Sequence, residues 1–215
     1  MRLIVPAVLV ALSSSAFAEV YVQDSDQPSQ ASFFSDAVAG QFFSQRMADN
    51  FTLASDTEVT QIRWWGGSQN FQFADLTNMS SYTVRIFADD LSTEVFSTTV
   101  DTELSSLSVS ATGATLFGGG MEFEYTLDLG SALSLSGGSE YWISIGSTLV
   151  NGGADAWVWS GSSMGDLVNA TDFFNGSGFT VFDPTFNDLA FAIVPSPGSA
   201  SVLVGAGLVL ARRRR

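Results

Sequence analysis

The side chains of this sequence that could do chemistry are few in kind, and the absences beside them decide much. The 215 residues contain no histidine, no cysteine and no lysine. A Ser-His-Asp or Cys-His device cannot be assembled, a Schiff-base lysine is excluded, and zinc or copper lacks its usual ligands. Carboxylate, oxygen-ligand and aromatic chemistry remain. Glu122 and Glu124 stand two apart, about 7 Å along a strand, near the roughly 5–10 Å separation at which glycosidases place two carboxyl groups; any solvated strand gives the same spacing. Asp24, Asp26, Asp89 and Asp90 could join backbone carbonyls around Ca²⁺, although no EF-hand loop or calcium-binding nonapeptide repeat accompanies them. Trp157 and Trp159 share a strand face, and Trp65 lies with Arg63 on the side opposite Ile62 and Trp64. Each of Trp65, Trp157 and Trp159 could stack on a sugar ring, and each could equally be core filler.

The elements that must position these residues read as strands. From Met47 onward, apolar residues recur with period two. Met121, Phe123, Tyr125, Leu127 and Leu129 share one face, while Glu122, Glu124, Thr126 and Asp128 take the other, which is expected to meet water. Tyr82, Val84 and Ile86 share a face, as do Tyr141, Ile143 and Ile145, and again Leu189, Phe191 and Ile193. Glu58 to Trp65 and Phe96 to Val100 complete six or more strands. Turn residues separate them: Gly66-Gly67, Asp89-Asp90, Gly118-Gly119-Gly120, Gly137-Gly138, Gly152-Gly153 and Asn175-Gly176. No stretch of 12 or more residues between 19 and 194 carries a helical stripe. The expected fold is all-β, an antiparallel β-sandwich or jelly-roll-like domain over residues 45–193. Residues 19–44, rich in Ser, Gln and Asp, read as an extended lead-in holding one strand.

The ends carry addresses. Arg2, the apolar run Leu3 to Leu12 and the small residues Ala16 and Ala18 have the order of an export signal helix over 1–18, with signal peptidase cutting before Glu19. Residues 194–215 open with Val194-Pro195-Ser196-Pro197, continue without charge from Gly198 to Ala211 and close on Arg212, Arg213, Arg214 and Arg215. Fourteen helical residues reach roughly 21 Å, short of a bilayer core of about 30 Å, so a transient or short membrane insertion is expected, with the arginines on the cytoplasmic side. This three-part layout resembles the PEP-CTERM sorting signal of bacterial exported proteins, differing in Ser196 at the middle of the Pro motif. The resemblance implies a partner, the membrane enzyme exosortase, which cleaves near that motif and releases or re-anchors the protein at the cell surface. The stretches Ala48 to Leu53, Ile62 to Gly66, Arg85 to Asp90 and Tyr141 to Ile145 resemble a recurrent uncharacterised domain of such proteins, which implies a β-sandwich and no particular catalysis.

Between the two addresses, Arg46, Arg63 and Arg85 stand against all 22 acidic residues, a charge of −19. That balance argues against nucleic acid and anionic lipid, whose binding rests on neutralising phosphates. Without disulfides, the stability of an exported domain must come from its core. The sequence thus points to a non-catalytic cell-surface or matrix protein associated with extracellular polysaccharide and needing no cofactor. A carbohydrate-binding module is the alternative, and a glycoside hydrolase working through two carboxylates is the outlying one.

Overall fold

The computed structural model describes residues 19–26, 31–40, 44–69, 79–150, 156–184 and 187–196. The export signal over 1–18, the turn at Gly152-Gly153 and the tail from Pro197 onward lie outside the described residues. Among those described, no helix is long and apolar enough to cross a membrane.

The described residues form fourteen strands: β1 (Tyr21–Gln23), β2 (Ser32–Phe34), β3 (Arg46–Thr52), β4 (Thr57–Ser68), β5 (Met79–Ala88), β6 (Glu94–Asp101), β7 (Leu107–Thr115), β8 (Met121–Leu135), β9 (Glu140–Leu149), β10 (Trp157–Ser162), β11 (Asn169–Asp172), β12 (Thr180–Phe182), β13 (Asp188–Leu189) and β14 (Phe191–Pro195). They form two antiparallel sheets, as expected of a β-sandwich. In the first, β4 is central: β8 and then β7 lie on one side, β14 and β10 on the other, with β1 beyond β14 and with β2 and β13 against β10. The second runs β12-β11-β3-β9-β5-β6. The described residues of the lead-in contribute two strands, β1 and β2, where one was expected.

Apolar residues of the two inner faces meet in one core. Ile62, Trp64, Tyr125 and Phe191 come from the first sheet, and Phe51, Tyr82, Ile86 and Ile143 from the second. At its centre Trp64 stacks on Tyr125, with centroids 5.3 Å apart and planes 1° from parallel. Tyr82 meets both edge-on and donates its hydroxyl to the Tyr125 oxygen at 3.2 Å. Such pairs add about 0.5–1.5 kcal/mol each beyond their buried area.

Two local expectations are corrected. Gly66-Gly67 is not a turn but the interior of β4, where a Cβ on Gly66 would strike the carbonyl of Val158 and the ring of Trp157, and one on Gly67 the carbonyl of Met121. Glycine serves close approach there, whereas Gly118 and Gly119 do turn the chain with φ of 102° and 98°. The two faces of β8 are also reversed at its start: Met121, on the face expected to be buried, is 44% exposed, and Glu122, on the face expected to meet water, is 0% exposed. Ser25, from the segment after β1, and Ser160 of β10 both reach the Glu122 carboxylate, so a second layer covers that end of the strand.

Candidate functional site

The three tryptophans read as sugar contacts part company. Trp157 and Trp159 do share a face, but it is the inner one, and at 1% and 0% exposure they offer no platform. Both indole nitrogens are used internally, Trp157 donating to the Tyr125 hydroxyl at 3.3 Å and Trp159 to the Ala190 carbonyl at 2.8 Å. Trp65 takes the other side of β4, as the alternation requires. It packs over Ala190, Ala192 and Val22 and is 6% exposed. The small alanines of the β13–β14 region let the indole lie against the outer face of the sheet.

Beside Trp65 opens a cleft of about 440 Å³, lined by Asp24, Ser25, Arg63, Trp65, Ser110, Ala111, Thr112 and Glu124. Register explains the grouping. Trp65 stands opposite Glu124, and Glu124 opposite Ser110, so β4, β8 and β7 each present one side chain in a row across the outer face. Arg63, two residues before Trp65, shares its face. Its guanidinium lies 5.4 Å from the indole centroid and grips both oxygens of Glu124, with Nε 3.2 Å from Oε1 and Nη2 2.8 Å from Oε2. Glu19 closes the other side of the same guanidinium.

Glu122 and Glu124 prove unlike each other. Glu124 is a partly exposed ion-pair partner. Glu122 is buried and accepts from three hydroxyls on three different elements: Ser25 Oγ at 3.1 Å, Thr112 Oγ1 at 3.1 Å and Ser160 Oγ at 2.7 Å. Its carboxylate ties the post-β1 segment, β7 and β10 together under the floor of the cleft. The spacing that suggests paired catalytic carboxylates thus yields one cross-tie and one salt bridge.

The four aspartates considered for Ca²⁺ are not brought together. Asp24 lines the cleft, and Asp26 accepts from Ser163 N and Oγ at 3.1 and 2.7 Å and from Asn187 Nδ2 at 3.2 Å. Asp89 and Asp90 stand in the β5–β6 turn of the second sheet. There the Asp90 carboxylate accepts the Ser92 and Thr93 backbone N–H groups, and the bonds from Thr93 in particular hold its carboxyl well below the usual range. Among the described residues no group of three or more acidic side chains could hold a metal ion.

A polar group between the sheets was not singled out by sequence reasoning. Asp49 is 0% exposed and points inward from β3, where its carboxylate accepts the backbone N–H groups of Leu189 and, at 2.8 Å, of Asn50. Burial pushes its carboxyl well above the usual range; the Leu189 N–H opposes that shift, and nearby Asp188 and Asp166 add to it. Asp188 is raised too, chiefly by burial. The signal lay in the phase of β3: Met47, Asp49 and Phe51 alternate together, so a charge stands where the pattern calls for a core residue.

The family described as "Domain of unknown function (DUF7901)" matches residues 21–194. No curated protein matches the chain.

Proposed function

The chain belongs to the DUF7901 family, and from that premise we propose that it is an exported, non-catalytic protein of the cell surface or extracellular matrix, delivered through a PEP-CTERM-like tail and associated there with polysaccharide. The cleft beside Trp65 carries the binding half of this reading. It combines an indole, a guanidinium, two carboxylates and three hydroxyls within a volume suited to one or two sugar units. Trp65, 6% exposed, offers only an apolar edge at the wall of the cleft, and the planar charged groups and hydroxyls would meet the OH groups of a sugar. Glu122 and Glu124 are engaged by hydroxyls and by Arg63, which favours a binding role over acid–base work. The domain charge of −19 favours a neutral glycan over an acidic one.

The delivery half rests on Ala16-Phe17-Ala18 before Glu19, and on the apolar run 198–211 ending in Arg212 to Arg215. Signal peptidase would leave Glu19 as the first residue, and exosortase would take the tail. Replacing Arg212 to Arg215 by serine should retain the protein away from the surface, because orientation depends on that charge; normal delivery would count against a sorting role.

Ser110→Trp tests the cleft. Ser110 is exposed on β7, so the indole fills the cleft without disturbing the core. Neutral polysaccharide fractions from the native surface should bind the wild type in calorimetry and lose at least tenfold in affinity with the variant, at an unchanged Tm. Equal binding by both would move the contact elsewhere.

A further inference from the structure

The sorting motif is not wholly outside the folded domain. Val194 and Pro195, its first two residues, are the last two of β14, and both are buried. β14 is paired on both sides over Phe191–Ile193, with β1 through Tyr21↔Ile193, Val22↔Ala192 and Gln23↔Phe191, and it stays paired with β4 as far as Val194↔Gln61 and Pro195↔Val59. A bulge between Val194 and Pro195 lets the proline, which has no N–H, stay against β4. Ser196 then donates its backbone N–H to the Glu58 carbonyl at 2.7 Å, tying down the third residue of the motif. Val20 donates to the Ile193 carbonyl at 3.1 Å, so the chain enters the sheet beside the point where it leaves.

A protease must draw several residues of substrate, extended and unpaired, through its active site, so burial and hydrogen bonding of the backbone decide where it can cut. The bonds from Phe191 to Ile193 are denied to it unless β14 leaves the sheet between two neighbours, and those at Val194 and Pro195 unless the buried end of the strand peels from β4 against the Ser196 hydrogen bond.

We propose that the folded domain itself sets the processing limit: the tail is cut on the C-terminal side of Ser196, and Val194-Pro195-Ser196 remain as the end of the mature protein. This rests on the sorting-tail reading above and adds the position of the cut. Because β1 and β14 are antiparallel neighbours, the two processing junctions, before Glu19 and after Ser196, lie at the same end of the first sheet. Both membrane enzymes then work at one pole of the domain, and cutting the tail leaves the sheet intact.

Two measurements decide it. Intact-mass analysis of the protein recovered from its native surface should give a chain that ends at Ser196 or a few residues beyond. An end at Pro195 or earlier overturns the proposal. The uncleaved full chain, held in detergent, is also digested with proteinase K. The resistant body should keep Ser196, and Ile193→Asp, which loosens β14, should raise the fraction cut upstream of Ser196 at least tenfold. Wild-type trimming into β14 that leaves the remaining body folded overturns the proposal, as does an Ile193→Asp pattern identical to wild type. Surface protein that retains Arg212 to Arg215 would fail the sorting reading alone, since the proteinase K boundary still tests the limit set by the fold.

Discussion

Two buried carboxylates show how much depends on donors supplied from elsewhere in the chain. Glu122 holds three hydroxyls; Glu122→Ala would remove the acceptor of Ser160 Oγ, which is fully buried, and an unsatisfied buried group costs about 1–3 kcal/mol. Its loss should destabilise the domain by roughly 2 kcal/mol or more in urea titration, whereas Glu124→Ala, at a partly exposed ion pair, should cost about 1 kcal/mol or less. Similar losses from both would refute the cross-tie. Asp49 works in the opposite sense from an ion-paired carboxylate. Burial raises its carboxyl well above the unfolded value of about 3.9, so the native state keeps a proton that the unfolded chain has released. Stability from this group is complete below about pH 4 and falls as pH rises through the raised native value. Asp90, whose carboxyl is lowered, contributes in the other direction, and only as pH falls below about 4. The expected outcome is greater unfolding free energy at pH 5 than at pH 8, with the difference reduced in Asp49→Asn. An unchanged pH slope in that variant would place the titration elsewhere.

At the scale of elements, β8 is the sharpest test of the alternation. Tyr125 sits fully buried in the aromatic centre, and Asp128, three residues on, is exposed. Tyr125→Ala should cost about 3–5 kcal/mol, as truncated aromatics in cores do, and Asp128→Ser should stay within about 0.5 kcal/mol. Comparable losses from the two would contradict the strand's orientation. This inner face was legible in the sequence because period two is a local signal: Tyr125 and Leu127 on β8, Tyr82, Val84 and Ile86 on β5, and Tyr141, Ile143 and Ile145 on β9 all face the core as the pattern requires. What was not legible depends on partners distant in sequence. Glu122 reads as a wet residue because nothing in β8 announces Ser25 or Ser160 above it. β1 and β2 are three residues each and show no alternation of their own; pairing with β14 and β10 makes them strands. Trp157 and Trp159 were correctly placed on one face, but period two names the faces without saying which is inner. The cleft was half legible: Trp65 and Arg63 could be put together from β4 alone, while Ser110 and Asp24 join them only through sheet register and chain crossing.

For the molecule as a whole, the dominant electrostatic fact is 22 carboxylates against three arginines between residues 19 and 194. All three arginines are engaged, Arg46 with Asp172, Arg63 with Glu19 and Glu124, and Arg85 with Glu94. Most carboxylates therefore have no cation to face, and their mutual repulsion opposes the compact state. Salt acts on both terms. It weakens the arginine pairs, which are partly exposed and worth about 1 kcal/mol or less apiece, and it screens a repulsion summed over many more groups. The Debye length falls from about 30 Å at 0.01 M to about 10 Å at 0.1 M, so at low salt charges interact across the domain and at moderate salt only with near neighbours. The repulsive sum must lose more than the few pairs do. Raising NaCl from about 10 mM to about 150 mM should raise Tm by several degrees, and a fall in Tm would mean that the arginine pairs govern stability instead. Glycan binding in the Trp65 cleft should respond differently. Hydrogen bonds between the cleft and a neutral sugar change no net charge, so its Kd should change less than twofold over the same salt range. A Kd that weakened steeply with salt would point to a charged ligand held by Arg63, and the neutral-glycan assignment would fall while the fold-level salt effect stood.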